Sequence, residues 1–235
     1  MKRGLFEVIL VVPISSNLNK EAGRVLVLAA HPDDETLGCG ATIARLADEG
    51  YLINLLTFTD GCGAREVSKN RNKKLKKVKK ILGLNSYSSY NFPDNKMDTV
   101  PLLDVCRYIE KNVNFIPDII FTHHKDCLNI DHRIVYQATL TCFRPQIGNR
   151  TKIYSYYVPS STDYNPFSNF DGQTYFDVGK YKDKKIECLK KCYAKEMRDY
   201  PHSRSYQNVE NLMKVWGSEV GIHYAEKFKL IREIL

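Results

Sequence analysis

An imidazole and three carboxylates, His31, Asp33, Asp34 and Glu35, follow directly on six consecutive apolar residues, Val25 to Ala30. Groups of this kind are costly to desolvate unless something pairs with them. A second polar cluster, FTHHKDCLNIDHR, holds His123, His124, Asp126, Asn129, Asp131 and His132, and a third, TFTDGCGAR, holds Asp60 and Arg65. His31 and Asp34 stand three positions apart in a turn entering a helix, so both can face one point. His132, at the start of a later helix, supplies a third donor. Three nitrogen or oxygen ligands with a fourth position open form the ligand set of a catalytic zinc. Asp33 then lies beside the metal with its carboxylate free. A metal lowers the pKa of water, and such a carboxylate can take the proton and later deliver one to a leaving amine. Taken singly, each residue has a plainer reading: Asp33 or Asp34 as a helix cap, His132 as an ordinary histidine satisfied by its neighbours. Their shared place at strand ends favours the joint site. His123 and His124 are adjacent, so in an extended segment they point opposite ways and only one faces the site. His124 is assigned that role, as a substrate contact.

The elements that must position these groups alternate. RVLVLAA (24–30), YLINLLTF (51–58), a short stretch near 87–90, DIIFT (118–122) and KIYSYYV (152–158) read as strands, the first two as buried on both faces. Helices are expected from about Gly38 to Glu49, through the basic segment closing at Gly83, over VPLLDVCRYIEKNV up to Pro117, and over DHRIVYQATLTCF. This rhythm predicts an α/β fold: a Rossmann-like, mostly parallel sheet with helices on both faces and ligands bound beyond the carboxyl ends of the strands. Residues 159–173 read as loop, and helices are expected over roughly 179–197 and 206–235. Residues 1–235 read as one domain, with 1–23 as an arm or extra strand and 159–235 as a loop-rich, helical C-terminal part.

Composition sets the outer bounds. With 43% hydrophobic and 26% charged residues, the 235-residue chain can bury a core without disulfides. Its seven cysteines are odd in number and include no C-x-x-C pair, which favours a reducing, cytoplasmic compartment. Glu7 interrupts the apolar stretch of the N-terminus and no small-residue cleavage site follows, against a signal peptide. No run is apolar enough to span a membrane. The net charge of +8 favours anionic partners and is concentrated in KNRNKKLKKVKKILG. Leu75, Val78, Ile81 and Leu82 give that segment an apolar stripe, so it reads as a surface helix with a solvated basic face; peripheral contact of residues 69–80 with an acidic membrane is the second reading.

The run AHPDDETLGCGATIARLADEG resembles the signature of the PIG-L/LmbE-like family of zinc-dependent N-deacetylases, and DCLNIDHRIVYQA resembles the family's later motif ending in Asp-His. The stretches VPSSTDYNPF, EMRDYPHSRS and WGSEVGIHYAEKF resemble a bacterial branch associated with surface polysaccharides or sugar nucleotides. The resemblance runs from Arg24 onward. It implies His31, Asp34 and His132 as metal ligands, Asp33 as general base and then general acid, and Asp131 as a catalytic partner behind the ligands. Many members carry a histidine, thought to help stabilise the oxyanion, where this chain has Asn129, and an aspartate near the position of Cys127. Asn129 is therefore expected to donate a hydrogen bond to substrate, and His202 in YPHSRS is the candidate for the missing histidine's catalytic role. Cys127 reads as a buried, inert thiol. Arg65 and Arg204 are candidate clamps for phosphate or sugar oxygens.

These readings converge on a hydrolase that removes acetyl from an N-acetylated sugar, sugar nucleotide or related glycoconjugate. It would use one divalent metal, zinc first and iron(II) second, since three N/O ligands accept either. A homo-oligomer is compatible with the sequence. The competing readings are a DHH-type manganese phosphoesterase and a non-enzymatic basic adaptor for acidic membrane or nucleic acid. The first needs Asp-His-His where this chain has Asp131-His132-Arg133, and the second lacks any recognisable nucleic-acid motif.

Overall fold

The computed structural model describes residues 22–61 and 71–235. Most of the expected arm over 1–23 lies outside the described residues, as does Arg65.

The strand β1 (Arg24–Ala29) is fully buried after its first residue, with Val25, Val27 and Ala29 facing one layer and Leu26, Leu28 and Ala30 facing the other. A strand covered on both faces has no solvated side, hence its unbroken apolar sequence. It pairs in parallel with β2 (Leu52–Thr59) on one side and β4 (Ile119–His123) on the other. With β3 (Ser86–Phe92), β5 (Lys152–Tyr156), β6 (Thr174–Asp177) and β7 (Ala225–Arg232) it forms one seven-stranded sheet, in the order β3-β2-β1-β4-β5-β7-β6. The order in which strands are added reverses at β1, outward to β3 on one side and from β4 on the other, so the carboxyl ends of β1 and β4 open the crevice in which such sheets bind ligands.

Helices α1 (Asp34–Asp48), α2 (Arg71–Leu82), α5 (Lys182–Cys192) and α6 (Tyr206–Glu219) cover one face, around Leu37, Ile43, Leu75, Leu189 and Val209. Helices α3 (Leu102–Asn112) and α4 (Ile130–Cys142) cover the other, around Val105, Ile109, Val135 and Ala138. In α2, Leu75, Val78 and Leu82 are buried while Lys76, Lys77, Lys79 and Lys80 are exposed, the solvated basic face the spacing predicts. Among the described residues no helix is long and apolar enough to cross a membrane.

Two expectations need correction. Helix α1 starts at Asp34, four residues before Gly38, and is kinked at Cys39 (φ −143°, ψ 22°). The buried Lys185–Glu226 pair (2.7 Å) enters the kink. Lys185 Nζ donates to Leu37 O (2.7 Å), and the Glu226 carboxylate accepts from Ala41 N (3.2 Å) and Thr42 N (2.7 Å), so the backbone groups freed by the break are satisfied. The expected C-terminal helix ends at Glu219, and Ala225–Arg232 is a strand. Its alternation is disguised because buried Glu226 occupies an inward position beside Phe228, while Lys227 and Lys229 point outward to Glu219 and Asp171.

Gly38 lies against the ring of Tyr156, where an added Cβ would fall 2.2 Å from Cδ2. The Tyr156 hydroxyl in turn donates to Leu28 O at 2.7 Å. Gly38→Ala is therefore expected to destabilise the fold by about 1–3 kcal/mol through overpacking, read as a lower urea midpoint at unchanged slope.

Candidate active site

The turn after β1 delivers His31, and α1 begins at Asp34. Asp34 Oδ2 accepts from the His31 backbone N–H (2.8 Å), which folds the carboxylate back over the strand end. The same oxygen lies 3.1 Å from His31 Nδ1 and 3.2 Å from His132 Nε2, and the two ring nitrogens are 3.2 Å apart. A tetrahedral ion with bonds of ~2.0–2.1 Å holds its ligands ~3.3 Å from one another, so this triangle has the size of one face of such a site. Helix α4 can present His132 because Asn129 caps it, accepting from Asp131 N (2.8 Å) and His132 N (3.4 Å).

Electrostatics agree with a cation site. Burial raises the cost of a charged Asp34, but His132 above all brings its carboxyl well below the usual range. Burial opposes charge on His31 too, yet hydrogen bonds to Asp131, Asp34 and Asp94 hold its pKa well above the ordinary value. His132, likewise buried, is pushed up to about 9 by Asp34 and Cys127. Proton and metal compete for the same lone pairs, so groups that retain protons this strongly around one carboxylate also suit a divalent cation. Two imidazoles and a carboxylate are donors for zinc or iron(II).

Behind the triangle, Asp131 fixes His31. Its Oδ2 lies 3.1 Å from His31 Nε2, and the carboxylate accepts from Asn95 N (2.7 Å) and Met97 N (2.9 Å). Asp94 Oδ1 lies 3.1 Å from the same ring nitrogen. Nε2 is thus the donor, which leaves Nδ1 unprotonated and facing Asp34 when the ring is neutral. Cys127 Sγ stands 3.0 Å from His132 Nδ1 and plays the corresponding part there, and His132 draws the thiol below its usual pKa in spite of burial. It is an orienting group, not the inert thiol expected.

On the other side stands Asp33, with φ 130° and ψ −27° and no capping bond from its side chain. A residue with a side chain held there stores about 1–3 kcal/mol of strain. Its backbone oxygen accepts from Thr36 N (3.0 Å) and Leu37 N (2.8 Å), and its amide donates to Glu35 Oε2 (3.1 Å). Arg204 Nη1 reaches Asp33 Oδ2 at 3.0 Å. Burial, with the charge of Asp34 added, pushes the Asp33 carboxyl up to about 7 against the pull of Arg204.

Four sequence assignments change. His123, not His124, meets the cluster: its ring stacks on His132 (3.8 Å between centroids), and its Nε2 accepts from Ala30 N at 2.8 Å and lies 3.5 Å from Asp34 Oδ2. His124 is buried, packs edge-on against Phe170 and faces Asp126 at 3.8 Å. Strand parity accounts for this, because His123 continues the face of Ile119 and Phe121 that lies under α1. Asn129 is engaged as the α4 cap, and its Nδ2 donates to Asn95 Oδ1 (2.9 Å). His202 makes no contact with the triangle; its Nδ1 accepts from Arg204 N (3.0 Å) and orders the turn that carries Arg204. Arg204 itself is bonded to Asp33 through Nη1, a contact the sequence does not announce. The sequence reading missed Asp94, whose only signal is its place just beyond the carboxyl end of β3, and Tyr193, which reaches Glu35 from 158 positions away.

Comparison with known proteins agrees with this geometry. Residues 26–143 match the family model described as PIG-L, GlcNAc-PI de-N-acetylase. Over 140 residues the chain is 36% identical to the uncharacterized deacetylase YaiS of Escherichia coli K12, covering 56% of this chain and 75% of that protein. The chain belongs to the PIG-L family. Its fold is similar to that of N,N'-diacetylchitobiose deacetylase from Pyrococcus horikoshii (TM-score 0.69, 20% identity, 90% of this chain and 84% of that one). It is equally similar to GalB, the 4-carboxy-2-hydroxymuconate hydratase of Pseudomonas putida KT2440 (TM-score 0.69, 17% identity, 91% and 98%).

Asp131→Asn removes the charge that holds His31 while keeping the shape. It is expected to weaken metal binding about 10–100-fold, measured by competition with a chromophoric chelator.

Proposed function

We propose that the protein is a metal-dependent N-deacetylase that removes acetate from an N-acetylated sugar and leaves a free amine. The observation that carries this reading is the donor triangle of His31, Asp34 and His132 with the uncapped carboxylate of Asp33 beside it. His31 Nδ1, Asp34 Oδ2 and His132 Nε2 would hold the metal, zinc in the first place. Such an ion lowers the pKa of water towards neutrality and polarises an amide carbonyl.

The remaining steps belong to the chain. Asp33 takes a proton from the attacking water and returns one to the leaving nitrogen, for which a carboxyl raised towards neutrality is suited. Asp131 and Asp94 hold His31 in one orientation, and Cys127 and His123 do so for His132. Arg204 fixes the Asp33 carboxylate through Nη1. The net charge of +8 favours an anionic conjugate such as a sugar nucleotide over a neutral sugar. A hydratase shares this fold, so the fold alone does not choose amide hydrolysis; the family match and the deacetylase relative support it.

The test is release of acetate and free amine from N-acetylated sugars, sugar phosphates and sugar nucleotides. Zinc-loaded protein is expected to act on one class, chelation to abolish release, and added zinc to restore it. Asp33→Asn is expected to keep one metal per chain and lose turnover about 10²–10⁴-fold. A variant turning over at the wild-type rate would remove Asp33 from the reaction. Protein that binds no metal would end the proposal.

A further inference from the structure

The strained backbone at Asp33 has an outside support that no sequence motif announces. Glu35 is fully buried, and its two carboxylate oxygens divide their contacts. Oε2 accepts from Asp33 N (3.1 Å), while Oε1 accepts from the hydroxyls of Thr36 (2.6 Å) and Tyr193 (2.8 Å). Thr36 is the neighbour of Glu35 and moves with it. Tyr193 does not: it is the residue that ends α5, it is 1% exposed, and its backbone N–H is bonded to Leu189 O (3.0 Å). The phenol therefore ties the turn after β1 to a separate, rigid element. From the same C-terminal part of the chain, eleven positions further on, Arg204 holds the other end of Asp33, its carboxylate.

We propose that Tyr193 is a positioning residue for Asp33, acting through Glu35 on the Asp33 backbone amide. The inference rests on the proton-transfer role given to Asp33 above, but the structural coupling it describes is independent of any reaction. Without the phenol, Glu35 keeps Thr36, whose hydroxyl has only a long contact to Cys188 Sγ on α5 (3.5 Å), and loses its direct bond to the end of that helix. Its Oε2 then no longer holds Asp33 N in one place, and the strained turn relaxes towards ordinary backbone. The carboxylate swings with it. Misplacement of a reacting group by about 1 Å costs on the order of 10²-fold in rate. The metal ligands His31 and His132 have their own supports in Asp131 and Cys127 and stay in place.

The experiment compares Tyr193→Phe, Glu35→Ala and their combination with the wild type, and uses Tyr108→Phe as a control. Tyr108 is also a buried phenol, bonded to Thr57 O (3.2 Å) in the opposite layer, so it reports the general effect of losing such a bond. Two quantities are read. The first is hydrogen exchange of the Asp33 amide, resolved by NMR in the full-length protein; it is expected to speed up about tenfold or more in Tyr193→Phe and not in Tyr108→Phe. The second is turnover: kcat is expected to fall about tenfold with KM and metal content unchanged, the pattern of a lost transition-state interaction. Adding Tyr193→Phe to Glu35→Ala, which removes both acceptor oxygens, is expected to change little further, because both cut one chain of contacts. Unchanged Asp33 exchange in Tyr193→Phe would overturn the inference, and so would equal losses of kcat in Tyr193→Phe and Tyr108→Phe. Should Tyr193→Phe fail to fold, Glu35→Ala carries the same exchange test. A wild-type protein that releases no acetate from any sugar would refute the deacetylase reading alone, since the exchange measurement still decides the coupling.

Discussion

One buried negative charge organises this molecule. Asp34 Oδ2 sits at the end of a strand with no polar group of its own to offer, within 3.5 Å of three imidazoles and bonded to one backbone amide. A carboxylate withdrawn from water to that degree is tolerable only with cations or donors around it. The sheet order answers the requirement. By setting β4 next to β1, it brings His123 and His132 to a strand end that lies about a hundred residues earlier in the chain. The loop after β3 closes the far side with Asp94, Asn95 and the Met97 amide.

Most of the fold can be read from the sequence because parallel strands covered on both faces must be apolar throughout. β1, β2, β4 and β5 stand where continuous apolar runs predict them, and α2 and α4 where a periodic stripe does. β6 and β7 escape for a physical reason. β6 has four residues, and the inward face of β7 carries Glu226, which serves the break in α1 and not the core. Alternation read from hydrophobicity alone fails wherever a buried charge satisfies backbone groups.

The site divides along similar lines. His31, Asp34 and His132 are legible because strand ends in such a sheet converge, and the structure brings all three together with Asp33 beside them. What is not legible depends on contacts with no local trace. The parity of β4 decides between His123 and His124. The capping of α4 engages the Asn129 side chain, and a turn between α5 and α6 sends Arg204, not His202, to Asp33.

The position of β7 has a consequence for how the molecule is made. β7 follows the other six described strands in the sequence, yet it occupies an interior place between β5 and β6. During synthesis His31, Asp34 and His132 leave the ribosome well before Tyr193 and Arg204, which hold the Asp33 turn, and before Glu226, which satisfies the break in α1. Pairings between distant parts of a chain form late because the loop between them must close first. The triangle of His31, Asp34 and His132 can therefore assemble before the Asp33 turn is held in place. Until β7 arrives, the unfinished sheet has to keep its open edge at β5 from other chains.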